Sequence, residues 1–212
     1  LGIVALLVAA LAAFALAPTL LPASYSWVEH GISESAAQGI DGAWLARLGF
    51  LCFGLAVVWL AGLRPVGWVP AADLLHLVFG VSMFGVAAFS AKPWEDDAPF
   101  VQSEDLLHSV LAGAMGFAFV VAVVTSIVVR RQRSVGAALP DWVTLVIAAL
   151  VPLTMSTGIW GVLQRLMFVT AAVWYAREAR LATRGRDVEP APAPAEADGP
   201  SVQADPIEAP SL

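Results

Sequence analysis

Apolar residues run almost without interruption through six stretches of the chain, 2–21, 44–63, 71–91, 106–129, 142–157 and 158–175, and polar residues gather between them. A bilayer core about 30 Å thick takes roughly 20 apolar residues per helical crossing. The pattern therefore predicts an all-α fold, a polytopic membrane bundle of six transmembrane helices. The fifth and sixth runs are nearly fused, and one helix across both would overshoot the bilayer, so a break is expected at Pro152 and Ser156-Thr157-Gly158. The first run lacks a basic start and leads into Pro18 and Pro22 rather than a small-residue cleavage site, which favours a retained helix over a signal peptide.

Basic residues near the run ends set the expected orientation. With both termini cytoplasmic, the inner side holds Arg64, Arg130, Arg131, Arg133, Arg177, Arg180, Arg184 and Arg186, and the outer side Arg47, Lys92 and Arg165. These eight and three make up all 11 Lys and Arg. Tryptophans fall into two expected belts, Trp27, Trp44, Trp94 and Trp160 outside and Trp59, Trp68, Trp142 and Trp174 inside. Residues 1–180 are then the membrane domain. The Pro/Ala-rich acidic stretch 181–212 offers no apolar face and reads as a disordered cytoplasmic tail.

Composition sharpens this picture. With 59% hydrophobic and 13% charged residues, a soluble domain is excluded and little chain is left for a separate catalytic one. The net charge of −6 comes from the end of the chain: six of the 17 acids (Asp187, Glu189, Glu196, Asp198, Asp205, Glu208) lie there, and the remaining 11 balance the 11 bases. Cys52 alone supports no intrachain disulfide. No phosphate-cradling glycine loop, nucleophile elbow or His-Glu-x-x-His is present, so no cofactor is expected. Mid-span acids of the kind an ion pathway uses are also missing.

The candidate chemistry lies at the outer ends. Ser26 with Glu29 fits a capping box and Gly39 a helix stop, which predicts a surface helix over 27–38 with His30, Ser33 and Glu34 on one face. Gly31 is a weak point within it, by about 1 kcal/mol. Ser103 with Glu104 and Asp105 opens the fourth run, and His108 sits one turn in, beside both acids. Arg165 lies about 10 Å down the last run at 1.5 Å per residue. An unpaired guanidinium there is costly, so pairing with Glu34, Glu104 or Asp105 is expected. Asp73 and His76, three apart at the inner start of the third run, read as a cap or a surface contact. The basic cluster from Arg130 to Arg133 reads as a topology signal.

Taken in order, Tyr25-Ser26-Trp27-Val28-Glu29-His30-Gly31-Ile32-Ser33-Glu34, Gly49-Phe50 with Gly54-Leu55, His108 and Gly161-Val162-Leu163-Gln164-Arg165 resemble the bacterial and archaeal membrane family catalogued as domain of unknown function 998. The resemblance runs to about Tyr175. It implies a six-helix plan similar to the Frag, DRAM and Sfk membrane proteins, some of which are associated with lipid remodelling or distribution, and it transfers no catalytic residues. The family's loop between the third and fourth spans often reads Phe-Pro with an acid; here it reads Lys92-Pro93-Trp94-Glu95-Asp96. An Ala-, Val-, Gly- and Arg-rich chain with one Lys fits a GC-rich bacterium and its plasma membrane.

The resulting expectation is a small polar cavity at the outer leaflet formed by Ser33, Glu34, His108 and Arg165. It would recognise a lipid headgroup or small amphiphile, Arg165 holding an anionic group, with membrane lipids as partners and no nucleic acid. Two alternatives stay open. One is a lipid hydrolase or transferase using His108, with or without a metal held by His30, His108 and Glu34; the other is a structural or assembly protein without a small ligand.

Overall fold

The computed structural model describes residues 1–65, 68–132 and 138–186, and among them every regular element is helical. The α-helices are α1 (Gly2–Leu16), α2 (Ile32–Ser35), α3 (Trp44–Gly62), α4 (Pro70–Ala88), α5 (Gln102–Gln132), α6 (Leu139–Leu150) and α7 (Trp160–Arg186). Short 3-10 turns, Ala17–Leu20 and Val151–Thr154, extend α1 and α6. Local chemistry accounts for several starts and stops. Pro70 opens α4, where a missing N–H costs nothing. Asp141 turns back to accept the Ala138 N–H and starts α6. Pro152 falls in the 3-10 turn that ends it, and the polypeptide reverses through Ser156-Thr157-Gly158 as expected from the sequence.

Helices pack as a closed ring in the order α1, α3, α4, α5, α6, α7, with α7 returning to α1. The contacts from α1 through α5 are continuous, whereas α6 holds its neighbours more loosely and α5 barely meets α7 directly. Small residues let the tight half close: a Cβ on Gly54 would stand 2.8 Å from the Gly80 carbonyl oxygen, so α3 and α4 touch backbone to backbone. Phe14, Phe50, Phe53 and Phe168 fill the centre. The outer faces carry exposed Leu51, Leu55, Leu74, Val81, Val110, Phe117 and Val173, the surface that hydrocarbon rather than water covers.

Among the described residues, four helices are long and apolar enough to cross a membrane: Gly2–Leu20, Trp44–Gly62, Pro70–Ala88 and Gln102–Gln132. Together they mark a membrane-embedded protein. The last two runs fall short of that measure for physical reasons. Leu139–Thr154 is shortened by the proline turn, and α7 carries Gln164, Arg165, Arg177, Glu178 and Arg180 along its length.

Three sequence expectations are corrected. The surface helix over 27–38 is a single turn, α2, because Gly31 adopts extended backbone and splits a tight turn at 27–30 from the helix that follows. Trp68 and Trp174 are buried inside the bundle rather than placed in an interfacial belt. Residues 181–186 of the expected disordered tail 181–212 are helical, as the end of α7; the rest of that stretch lies outside the described residues.

Candidate functional site

Both long connections, 21–43 and 89–101, lie at the same end of the bundle and are stitched together there. Gln38 bridges them, its Nε2 donating to the Ser90 carbonyl at 2.9 Å while its Oε1 accepts the Val101 N–H at 2.8 Å. At the start of α5, Glu104 accepts the Ser90 N–H at 2.7 Å and Asp105 the Lys92 N–H at 2.8 Å, so these acids serve the second loop more than their own helix end. Trp94 packs on Tyr25 and His30, with ring centroids 5.0 and 5.6 Å apart.

The first loop rests flat on α7, and two glycines make this approach. A Cβ on Gly31 would meet the Gln164 amide and the Trp160 indole, and one on Gly161 would strike the Trp27 and His30 carbonyls. Gln164 Oε1 accepts the Ile32 N–H. Arg165 completes the seam: its Nη1 donates to the carbonyls of Trp27 (2.8 Å), His30 (3.0 Å) and Gly161 (2.9 Å), and its Nη2 to the Tyr25 hydroxyl (2.8 Å). Burial pushes the Tyr25 phenol up, against the pull of Arg165, so the hydroxyl stays protonated and donates to the Gly31 carbonyl at 2.9 Å. The expected pairing with Glu34, Glu104 or Asp105 is not made. Among the described residues Arg165 is in no ion pair, because four uncharged oxygens of the loop and its own helix already satisfy the guanidinium.

Beneath this loop layer, between α5 on one side and α6 and α7 on the other, lies a cavity of about 1000 Å³. At the loop end it is lined by Ser33, Glu34, Lys92, Trp94, Asp96, Asp105, His108 and Gln164, and along the helices by Ala112, Gly113, Gly116, Ala148 and Met167, with Phe79, Phe119 and Phe168 toward the bundle centre. Three of the four expected site residues, Ser33, Glu34 and His108, thus line one cavity, while Arg165 is not among the lining residues. His108 is only 4% exposed. Its Nδ1 lies 2.8 Å from the Phe89 carbonyl, an acceptor, so Nδ1 carries a proton; in the neutral ring Nε2 is the lone-pair nitrogen, and no described residue is bonded to it. The alternative metal set fares differently. No group of three or more His, Cys, Asp or Glu among the described residues is placed to share an ion, and His30 Nδ1 accepts the Ser26 N–H at 2.9 Å instead of joining His108 and Glu34.

At the opposite end stands a second polar assembly that the sequence pattern does not announce. Arg130 bridges Asp141 and Glu178 at 2.6 Å each, Arg177 reaches Asp141 at 2.7 Å, and the indoles of Trp68 and Trp174 donate to Glu178 and Asp141 at 3.0 Å. Trp68 stacks on His76, whose Nδ1 meets the Tyr175 hydroxyl at 2.9 Å. His76 is fully buried, not a surface contact. One sequence sign points here: Glu178 is an acid set between Arg177 and Arg180, just past an apolar run, where the local charge is otherwise positive.

Residues 3–179 match the family described as Protein of unknown function (DUF998), a span that takes in both polar assemblies and all of the helices but the first residue of α1 and the end of α7. The chain belongs to this family. No curated protein and no solved structure matches it. This DUF998 chain is a helical membrane bundle with a polar seam at one end, an ion-pair cluster at the other and a cavity lined by α5, α6 and α7.

Proposed function

We propose that this DUF998 chain binds a membrane amphiphile, with the tail between α5 and α7 and the head at the mouth. One observation carries the reading: the cavity of about 1000 Å³ is apolar along its walls and floor and polar only at the loop end. That distribution is the one a tailed molecule needs, and the volume is at the upper end of small-ligand pockets, roughly 300–1,000 Å³. Along α5 the lining extends from Asp105 to Val120, about 22 Å at 1.5 Å per residue, the reach of a long acyl chain. Gly113 and Gly116 have no atom near a would-be Cβ, so the wall there is open.

Filling that space is the test. Gly113→Phe with Gly116→Phe should abolish the one-per-chain amphiphile that native mass spectrometry detects on the purified full chain, and should leave the melting temperature within a few degrees. Wild-type protein carrying no amphiphile, or a filled variant that binds as well as wild type, would sink the proposal. The lone pair on His108 Nε2 is also what a general base presents, and this favours the lipid hydrolase or transferase as second reading. An amphiphile released with its mass unchanged excludes that alternative.

The reading includes six crossings of a bacterial plasma membrane, with Leu139–Thr154 and α7 as fifth and sixth, both termini inside and the cavity mouth outside. Charge supports it: Arg64, Arg130, Arg131, Arg177 and Arg180 lie at the far end, and Arg47, Lys92 and Arg165 at or near the loop end. On a Cys52→Ser background, cysteines replacing the exposed Glu29 and Asp97 should react with an impermeant maleimide on intact cells, and those replacing Arg131 and Arg180 only after lysis. The reverse pattern overturns the orientation.

A further inference from the structure

Arg165 does not line the cavity, and its guanidinium donates to three carbonyls and a hydroxyl of the seam. Arg47, the other arginine at this end, is likewise engaged with the carbonyls of Ala36 and Ala37 at 3.1 and 2.9 Å. What remains at the mouth is acidic. Glu34, Glu95, Asp96 and Asp105 line it against Lys92, four formal negative charges to one positive. Glu34, Glu95 and Asp105 each accept one bond from a neutral donor, Gly31 N–H, Ser24 hydroxyl and Lys92 N–H, which leaves their charge intact.

His108 adds an independent pointer. More than nine-tenths buried and lining the cavity, it offers an unengaged acceptor at Nε2 and, as the Nδ1–H tautomer, no second donor. A head that suits acids and a lone pair brings positive charge and N–H groups. We infer that the cavity takes an amphiphile with a primary ammonium head, held by the carboxylates of Glu34, Asp96 and Asp105 and donating a hydrogen bond to His108 Nε2. Indole rings at Trp94 and Trp160 line the same mouth and add attraction for a cation. A sulfate or phosphate monoester would meet net negative charge with Lys92 as the single lining cation. The inference rests on the amphiphile reading above.

Two sources carry this head, an ethanolamine phospholipid and a single-chain lipophilic amine. The full chain in maltoside micelles is titrated with hexadecylamine, hexadecanol and hexadecyl sulfate, equal in chain and different in head, at pH 7. Hexadecylamine should bind at least tenfold tighter than hexadecyl sulfate, about 1.4 kcal/mol. In Glu34→Gln with Asp96→Asn that preference should collapse while hexadecanol binding is unchanged. The variant keeps the fold's own bonds, since the side-chain amide oxygen that Glu34→Gln introduces still accepts the Gly31 N–H, and Asp96 makes no hydrogen bond among the described residues. Sulfate bound as well as amine, with hexadecanol bound too, overturns the head and leaves the cavity reading standing. None of the three bound overturns both. Displacement of hexadecylamine by phosphatidylethanolamine but not phosphatidylglycerol names the phospholipid as source, and no displacement by either names the single-chain amine.

Discussion

Replacing Arg130 with methionine should lower stability by about 3–5 kcal/mol, the usual cost of removing one partner from a buried ion pair. The Arg130 side chain is 9% exposed and those of Asp141 and Glu178 not at all. With the guanidinium gone, Glu178 keeps the Trp68 indole and a 3.6 Å approach to Arg177, and Asp141 keeps Arg177 and Trp174. Methionine fills much of the volume, so the loss reflects uncompensated charge rather than a void. Thermal unfolding in detergent checks this, and Arg130→Met combined with Asp141→Asn and Glu178→Gln should recover at least half of the loss. An Arg130→Met protein that melts with wild type would mean that the carboxylates are not confined as the geometry has them. Arg177→Met should cost less, because that side chain is 29% exposed and water replaces part of what it gives.

This cluster also shows where sequence reading stops. Apolar runs locate α1, α3, α4 and α5 to within a few residues, since a spanning helix must satisfy its own backbone and its length is set by the bilayer. The break near Pro152 is legible because proline removes a donor. Arg130 reads as a topology signal because a basic residue at a span end usually is one; that it crosses to Glu178, 48 positions on, depends on α5 and α7 converging at the far end. Trp68 and Trp174 read as belt residues for the same reason, and their indoles turn inward to carboxylates that no spacing rule links to them. In the candidate site, counting from the apolar runs is enough to place Ser33, Glu34 and His108 at one end. Gln164 stands out in the sequence only as the neighbour of Arg165, and the acidic balance of the mouth depends on which loop side chains face inward. Gly31 reads as a weak point in a longer helix, whereas it caps the start of the single-turn α2 and lets the loop lie on α7.

Arg165 supplies the second large effect. Arg165→Leu should cost about 2–4 kcal/mol, because a charged donor contributes roughly 1.5–3 kcal/mol per effective bond and the Trp27 and His30 carbonyls lose theirs together. Arg165→Lys should recover little, since an ammonium on a flexible stem does not reproduce a planar fork reaching three carbonyls and a hydroxyl at once. The sharper measurement is a pair of double-mutant cycles. With Glu34→Gln the effects should add to within about 0.5 kcal/mol, as for residues that share no bond. With Tyr25→Phe they should not, because the Arg165 Nη2 bond to the Tyr25 hydroxyl, at 2.8 Å, is lost in either single variant. Hydrogen exchange gives the local readout: protection at the His30 and Ile32 amides, which bond to Ser26 and Gln164, should fall in Arg165→Leu as the loop lifts from the helix. Coupling to Glu34 as strong as that to Tyr25 would restore an acid as the partner of Arg165 and overturn the assignment of the seam to neutral oxygens alone.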